Sequence, residues 1–282
     1  MVLASCGPAS QMAEAMNRLL PQCQRAGAEF IVARREDATP ISGQVLGAYR
    51  PVRCPPDATI PQVRGAGLAA ATGDWVLLTE DNCLVQPDWV ERLMAGVATD
   101  TDVVGGVMGS ARRSRSIDAA AYFAEYGFYG PLQKPSAAPT LTCANVAYHS
   151  RVVVEAASWA SAGQWENDIH ERLAAAGSRF RLVSDAVVEP NTEHRLGAFC
   201  RNRYDHGRAY AAVRSRRLTR AMRLGLACAT PALPAVLTWR VWRRAGRAAP
   251  GDFFRALPFI LAFFGAWSAG EAAGYLRGKV GG

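Results

Sequence analysis

Hydrophobic and polar positions along the first 110 residues form blocks that predict strands and helices in turn. Short apolar or β-branched runs, typical of buried strands, alternate with segments whose apolar residues recur at helical spacing. The clearest strand is "DWVLLTE", residues 74–80, and the clearest helix covers residues 87–98, with Pro87 in its first turn. This alternation predicts an α/β fold with a mostly parallel sheet flanked by helices.

Two carboxylates and a carboxamide follow that strand directly, as Glu80, Asp81 and Asn82. In sheets of this kind, ligands bind beyond the carboxyl ends of the strands. Neighbouring carboxylates repel each other and are costly to bury without a positive partner. The pattern therefore indicates either a solvated acidic turn or a site for Mg²⁺ or Mn²⁺ with a diphosphate.

A predicted helix over residues 60–73 carries Arg64 in its first turn. An arginine at a helix N-terminus can bind a diphosphate, although a solvated surface arginine has the same pattern. The following "GAGLAA", residues 65–70, has the letters of a dinucleotide-binding turn, but its glycines fall inside the helix. We therefore expect Gly65 and Gly67 to permit close helix–sheet packing.

A second group of candidate residues lies in "QWENDIHERL", residues 164–173. Glu166 begins a predicted helix and is a candidate general base, or else one of the acids that the helix dipole favours at an N-terminus. Glu166 and His170 are also helical neighbours and could pair on a metal, a weaker alternative. His194 follows a strand-like segment and could reach the ligand edge of the sheet, whereas His206 has no such context.

Charge is distributed unevenly along the 282 residues, whose formal net charge is +8. From residue 201 onward there are 15 Lys and Arg against 3 Asp and Glu, giving +12, so residues 1–200 carry −4. Such a basic tail indicates an anionic partner, either a nucleic acid or a membrane surface. The Arg clusters alternate with apolar blocks, which favours the membrane.

The tail contains two apolar runs, residues 224–239 and 253–276. Both are marginal for crossing a bilayer, which takes about 20 apolar residues. An interfacial or re-entrant helical hairpin on the cytosolic leaflet is expected, with two spans or a soluble hairpin as alternatives. The seven cysteines include no C-x-x-C pair, and the N-terminus has no signal-peptide pattern, so the rest of the chain is expected in the cytosol.

Several stretches, taken in order, resemble the family 2 glycosyltransferases of the GT-A fold. Residues 63–93, "VRGAGLAAATGDWVLLTEDNCLVQPDWVERL", are similar to the family segment in which an acidic DxD-type motif ends a strand before a Pro-x-Trp helix. Residues 141–153 look like its Gly-x-Asn segment, with Cys143 where Gly is usual, and residues 165–180 like the helix that carries the base. The resemblance covers roughly residues 28–215, and the membrane-associated subgroup with a Glu-Asp-x motif is the most similar.

The resemblance implies roles for individual residues. Glu166 becomes the general base, and the diphosphate or nucleotide would be bound by Arg64, Glu80 and Asp81. A divalent cation would be held by Asp81, Asn82 and His194, while the acceptor side would include Asn145, Asp168 and Arg208.

Two segments depart from the family pattern. The first strand reads "LASCGPAS" in place of Pro-Thr-x-Asn. The second ends "VARRED" where the family has Asp-Asp-Gly-Ser, whose first Asp reads the nucleobase, so Asp37 is the remaining candidate.

The resemblance thus predicts a metal-dependent, inverting glycosyltransferase that uses Mn²⁺ or Mg²⁺. It would move a sugar from a nucleotide-sugar donor to a hydroxyl of a lipid-linked or glycan acceptor, with anionic lipids and no nucleic acid as partners. Residues 1–200 would form the GT-A-like domain (donor half 1–110, acceptor half 111–200), and residues 201–282 the membrane-association region. The expected location is the cytoplasmic face of the cell membrane, in a bacterium the inner membrane. The alternative is a catalytically degenerate nucleotide- or lipid-binding membrane scaffold.

Overall fold

The structure, a computed structural model, describes residues 1–36, 49–109, 115–133, 141–215 and 218–277. The chain forms two compact units. Unit 1 comprises Met1–Gly109 with Gln133–Asn191, and unit 2 comprises Ser110–Leu132 with Thr192–Gly282. The expected division at residue 200 concerns function and stays a prediction.

Unit 1 is built on an eight-stranded sheet with the order β3-β2-β1-β4-β7-β6-β8-β5. Strands β1 to β4 are parallel, β7 is antiparallel to both β4 and β6, and β8 is parallel to β6 but antiparallel to β5. Six of the eight strands therefore share one direction, which confirms the mostly parallel sheet. The strands are β1 Val2–Ser5, β2 Ile31–Arg35, β3 Arg50–Cys54, β4 Trp75–Glu80, β5 Cys83–Val85, β6 Val103–Met108, β7 Val146–His149 and β8 Phe180–Pro190.

Ten α-helices are formed by the described residues. Those of unit 1 are α1 Ala9–Ala26, α2 Ile60–Ala70, α3 Trp89–Ala95, α5 Ser150–Ser161 and α6 Glu166–Ala175. Those of unit 2 are α4 Ser116–Glu125, α7 Leu196–Ser215, α8 Arg220–Ala229, α9 Leu233–Arg244 and α10 Pro250–Arg277. The main core of unit 1 lies between one sheet face and α2, α5 and α6.

Helix α2 is placed by local sequence and by its glycines. Thr59 caps its N-terminus in a capping box with Gln62. A Cβ atom at Gly65 would lie 2.5 Å from the Ser161 backbone nitrogen of α5, and a Cβ at Gly67 would collide with Val2 of β1. The expected close helix–sheet packing is therefore confirmed at Gly67, whereas Gly65 permits a close helix–helix contact.

Helix α10 forms the core of unit 2. It packs against α7 and α4, and also against α8 and α9. Glycines allow the closest approach, because a Cβ at Gly270 would collide with the Tyr204 carbonyl of α7. By length and composition, two helical stretches are long and apolar enough to cross a membrane, Arg220–Arg244 and Pro250–Arg277. The predicted apolar C-terminal helices are thus present.

Candidate active site at the carboxyl edge of the sheet

A buried ion-pair network joins three of the residues that the sequence singled out. Arg64 Nε donates to Glu80 Oε1 at 2.7 Å, and Arg64 Nη1 donates to Glu166 Oε2 at 2.9 Å. The side chains of Arg64, Glu80 and Glu166 are only 6%, 8% and 12% exposed. Helix α2, the end of β4 and the first residue of α6 therefore converge on one guanidinium group.

The charges in this network are strongly coupled. Burial opposes the positive charge of Arg64, but the carboxylates of Glu80 and Glu166 outweigh it and hold the pKa of Arg64 well above its usual value. The indole ring of Trp165, which precedes α6, lies 5.6 Å from Arg64 Cζ. Since one guanidinium faces two carboxylates, the network keeps a formal charge of −1.

Asp81 lies beside this network at the end of β4 and is itself buried. Its Oδ2 accepts hydrogen bonds from Ser5 Oγ at 2.7 Å and from the Gly7 backbone nitrogen at 2.9 Å. Burial raises the pKa of Asp81, and these hydrogen bonds oppose that rise. A Cβ atom at Gly7 would lie 2.8 Å from Asp81 Oδ2, so the turn after β1 must stay small to reach this carboxylate.

Asn82 follows in the turn between β4 and β5. Its carbonyl oxygen accepts from the Asn191 backbone nitrogen at 2.7 Å, which ties this turn to the end of β8. Its side-chain Oδ1 accepts from Cys83 Sγ at 3.3 Å. Asp81 and Asn82 thus offer carboxylate and carboxamide oxygens, the donors that Mg²⁺ and Mn²⁺ favour.

In the part of the chain that the structure describes, no group of three or more His, Cys, Asp or Glu side chains is placed so that it could hold a metal ion. Magnesium in phosphate-transferring sites commonly takes one or two carboxylates and completes its shell with phosphate oxygens and water. The donor set at Asp81 and Asn82, next to a network of net negative charge, fits that mode of binding. The cation stays a prediction.

Behind the ion pairs, a second polar cluster is fully enclosed. Tyr148 Oη lies 2.7 Å from His170 Nε2 and 3.5 Å from Cys143 Sγ. Burial lowers the pKa of His170 to about 4 and raises the pKa of the Cys143 thiol to about 12. His170 is therefore neutral and engaged with Tyr148, while Glu166 is engaged with Arg64, and the alternative metal pair of Glu166 and His170 gains no support.

The remaining predicted residues of unit 1 have varied surroundings. Asn145 is completely buried; its Nδ2 donates to the carbonyls of Val107 and Ala186 at 2.9 Å, and its Oδ1 accepts from Trp89 Nε1 at 2.8 Å. These bonds give Asn145 a structural role, and its acceptor-side role stays a prediction. Asp168 is exposed in the first turn of α6, and Asp37 lies outside the described residues.

Two of the residues that the resemblance assigned to the site, His194 and Arg208, belong to unit 2. His194 stacks edge-to-face on Phe199 at a ring distance of 4.6 Å, and its backbone nitrogen donates to Asp118 Oδ1 at 2.8 Å. Burial lowers the pKa of His194. Arg208 lies 3.6 Å from the Asp205 carboxylate, one turn earlier on α7. The metal role of His194 and the acceptor role of Arg208 stay predictions.

Sequence reasoning did not identify Ser5, Gly7 and Trp165 as parts of the site. Ser5 ends the first strand and Gly7 lies in the turn after it, at the segment that departs from the family pattern, and both donate hydrogen bonds to Asp81. The available signal was a hydroxyl and a glycine at the carboxyl end of a strand. Trp165 has no pattern of its own beyond its position just before the base candidate Glu166.

Residues 56–155 match the model of glycosyl transferase family 2. This segment of 100 residues is similar to that family. The family 2 match contains the acidic strand end and Arg64, and ends before Glu166. It confirms the family that the sequence motifs indicated. No curated protein matches the chain significantly.

The fold is also found in solved structures. The mannosyltransferase PcManGT from Pyrobaculum calidifontis, in complex with GDP-Man and Mn²⁺, is 15% identical, with 96% of this chain and 86% of that chain covered at a TM-score of 0.55. S. aureus TarS 1–349 is 14% identical, with 97% and 88% covered at a TM-score of 0.49. At such identities the likeness to PcManGT shows the fold alone, and it confirms the GT-A-type fold.

Proposed function

We propose that this protein transfers a sugar from a nucleotide-sugar donor to a hydroxyl group, with inversion at the anomeric carbon. The observation that carries the proposal is the Glu166 carboxylate, oriented by Arg64 beside the acidic end of β4. This arrangement lies at the carboxyl edge of a GT-A-type sheet, where ligands of open α/β sheets bind. PcManGT, which shares the fold, is named with a nucleotide sugar in its complex, which supports that donor class.

In the proposed reaction Glu166 takes the proton from the acceptor hydroxyl, and this proton remains on the Glu166 carboxyl group. The acceptor oxygen forms a bond to the anomeric carbon of the sugar. The bond from that carbon to the diphosphate oxygen breaks, and the nucleoside diphosphate leaves with the electron pair. A single displacement of this kind inverts the anomeric centre.

Asp81 and Asn82 are the residues that would hold a divalent cation, Mn²⁺ or Mg²⁺, near the donor diphosphate. When bound, such a cation supplies positive charge that stabilises the leaving diphosphate. Ser5 and Gly7 hold the Asp81 carboxylate in one orientation. Arg64 does the same for Glu166 and offsets part of the negative charge of Glu80.

The first test is donor turnover by the full-length protein with Glu166→Gln. Release of nucleoside diphosphate from UDP-, GDP- and dTDP-sugars is measured with a lipid extract as acceptor source. We expect one donor class to react, and Glu166→Gln to lower turnover by at least about a hundredfold, because the carboxamide cannot take the proton. Nucleotide binding and the melting temperature should change little. Glu171→Gln, an exposed site on the same helix, is the matched control, and full activity of Glu166→Gln would contradict the base assignment.

We further propose that unit 2 holds the enzyme at the cytoplasmic face of the membrane, where a lipid-linked acceptor is available. Helix α8 has no buried residues, and Met222 and Leu224 on it are more than half exposed. On α9, Trp239 is 59% exposed and its ring lies 6.0 Å from Arg243 Cζ. Exposed apolar side chains among arginines are typical of helices that bind the interface of anionic bilayers.

A second candidate function is that of a non-catalytic scaffold which binds a nucleotide or a lipid. Asn82 supplies no charge to the acidic motif, and β2 ends in arginines where the family has acids. Turnover separates the two functions. A scaffold would bind a nucleotide without ever consuming a nucleotide sugar, whatever acceptor extract is supplied.

A further inference from the structure

The carboxyl end of β2 carries two adjacent arginines with different surroundings. Arg35 Nε donates to the Ala58 carbonyl oxygen at 2.7 Å, so its charge is used within the fold. Arg34 is opposite Ser5 of β1 in the parallel ladder, and opposite Arg53 of β3. Among the described residues no acceptor bonds to Arg34 Nε or Nη2, although both atoms are buried.

An unbonded, buried guanidinium edge is expensive, because desolvated donors lose their bonds to water without replacement. Asp81 is a negative charge near Arg34: burial raises the pKa of Asp81, and the attraction to Arg34 is one of the smaller effects that lower it. Asp81 Oδ2 already accepts from Ser5 and Gly7, and no hydrogen bond joins it to Arg34. Within the part of the chain that the structure describes, this donor edge is therefore left for a ligand.

The geometry of the edge defines that ligand. Nε–H and one Nη2–H lie on the same side of the planar guanidinium and point in parallel directions. Such a pair fits two oxygens of one oxyanion, as in bidentate arginine–phosphate contacts. The edge lies at the end of β2, next to the strand that carries Ser5, and Asp81 is within its electrostatic reach.

We infer that Arg34 binds a phosphate oxyanion of the donor nucleotide through its Nε–Nη2 edge. This inference rests on the proposed function, because it assigns a ligand contact within the same donor site. It gives the chain a phosphate contact of its own, in addition to the divalent cation predicted at Asp81 and Asn82. Nucleoside diphosphates should then retain measurable affinity when divalent cations are removed by EDTA.

The test is calorimetric titration with UDP, GDP and dTDP, and separately with uridine, guanosine and thymidine, in EDTA. The variants are Arg34→Met, which keeps the length of the side chain, and Arg34→Lys, which keeps the charge but loses the parallel donor pair. Arg53→Met is the matched control, since Arg53 is the exposed neighbour of Arg34 in the ladder. For the nucleoside diphosphate that the wild type binds, we expect Arg34→Met to lower the affinity at least tenfold. Arg34→Lys should lower this affinity by a smaller factor, and Arg53→Met by less than twofold.

The nucleosides identify which part of the donor is bound. Equal weakening of nucleoside and nucleoside diphosphate by Arg34→Met would overturn the inference, because the edge would then contact the base. Unchanged diphosphate binding by Arg34→Met would also overturn it while leaving the proposed function in place. If wild type binds no nucleotide, even with Mn²⁺ restored, the proposed function itself fails.

Protein stability gives an independent readout. Since Arg34→Met removes buried donors that have no partner among the described residues, its melting temperature should equal or exceed that of wild type. A purely structural arginine would give the opposite result, with a clear loss of stability and no selective loss of diphosphate binding.

Discussion

At the scale of single residues, Arg64 is the group on which the site depends. It is enclosed between Glu80 and Glu166, so any change to it leaves buried carboxylates without a positive partner. The sequence identified all three residues separately, from a helix start, a strand end and a second helix start. The resemblance placed them in one site, but no local pattern predicted that they pair directly, because Arg64 is 16 positions from Glu80 and 102 from Glu166.

Arg64→Met should destabilise the fold by about 3–5 kcal/mol, the usual cost of removing one partner of a buried ion pair. Urea unfolding of wild type and variant measures this difference. The double variant Arg64→Met/Glu80→Met should recover at least half of the loss, because it no longer buries an unpaired Glu80. A single variant as stable as wild type would contradict the buried network.

His170 gives a pH-dependent prediction. Its pKa is lowered to about 4 in the folded protein, because burial disfavours the imidazolium, against an ordinary value of 6.5. Between these two values the unfolded chain binds a proton that the folded protein does not, so stability falls as pH drops from 6.5 to 4. The full effect is about 3 kcal/mol from this one group.

The measurement compares urea unfolding of wild type and His170→Gln across that pH range. The stability of wild type relative to the variant should decrease steadily as the pH falls. His149→Asn is the control, since His149 caps α5 near the surface and asparagine preserves the cap. Parallel pH curves for wild type and His170→Gln would show that His170 is protonated in the folded state.

At the scale of elements, the hydrophobic pattern predicted most strands and helices of unit 1. It missed β5, since Cys83–Val85 is too short to be recognised and pairs with the end of β8 about a hundred residues later. It also gave no direction for β7, whose antiparallel pairing with β4 and β6 depends on distant segments. The basic part of the chain that begins at residue 201 contributes to two helices, α7 and α8.

Gly65→Ala tests the contact between α2 and α5. Alanine favours a helix interior over glycine by about 1 kcal/mol. Its Cβ would, however, lie 2.5 Å from the Ser161 nitrogen and 2.8 Å from the Ala157 carbonyl, and these are backbone atoms that cannot turn away. We expect a net destabilisation of about 1–3 kcal/mol by urea unfolding. Gly225→Ala in α8, where the Cβ meets no atom within 4 Å, should be neutral or stabilising.

At the scale of the whole molecule, the excess of positive charge and most of the exposed large apolar side chains of the described residues lie in the C-terminal part. Composition alone predicted this asymmetry, and the structure adds that α8 has no buried residues whereas α10 is a core helix of unit 2. The sequence could not separate these two cases, because both runs are apolar and flanked by arginines. The two helices differ in how far neighbouring helices bury them, which the apolar pattern alone does not predict.

Binding to anionic vesicles should depend on the arginines of α9. Each basic residue near such a surface contributes about 1 kcal/mol, so Arg240→Glu/Arg243→Glu should lower partitioning onto phosphatidylglycerol vesicles at least about tenfold in a flotation assay. Arg172→Glu/Arg181→Glu, the same charge change on exposed sites of unit 1, is the control. Equal effects of the two pairs would indicate attraction by net charge without a specific membrane face.

The buried amide of Asn145 has a consequence for how unit 1 opens. One side chain is bonded to β6 through Val107, to the segment of β8 at Ala186 and to α3 through Trp89. Any fluctuation that separates one of these elements must break a bond that the amide shares with the others. Their backbone amides should therefore exchange with deuterated solvent as one cooperative group, with a common opening free energy.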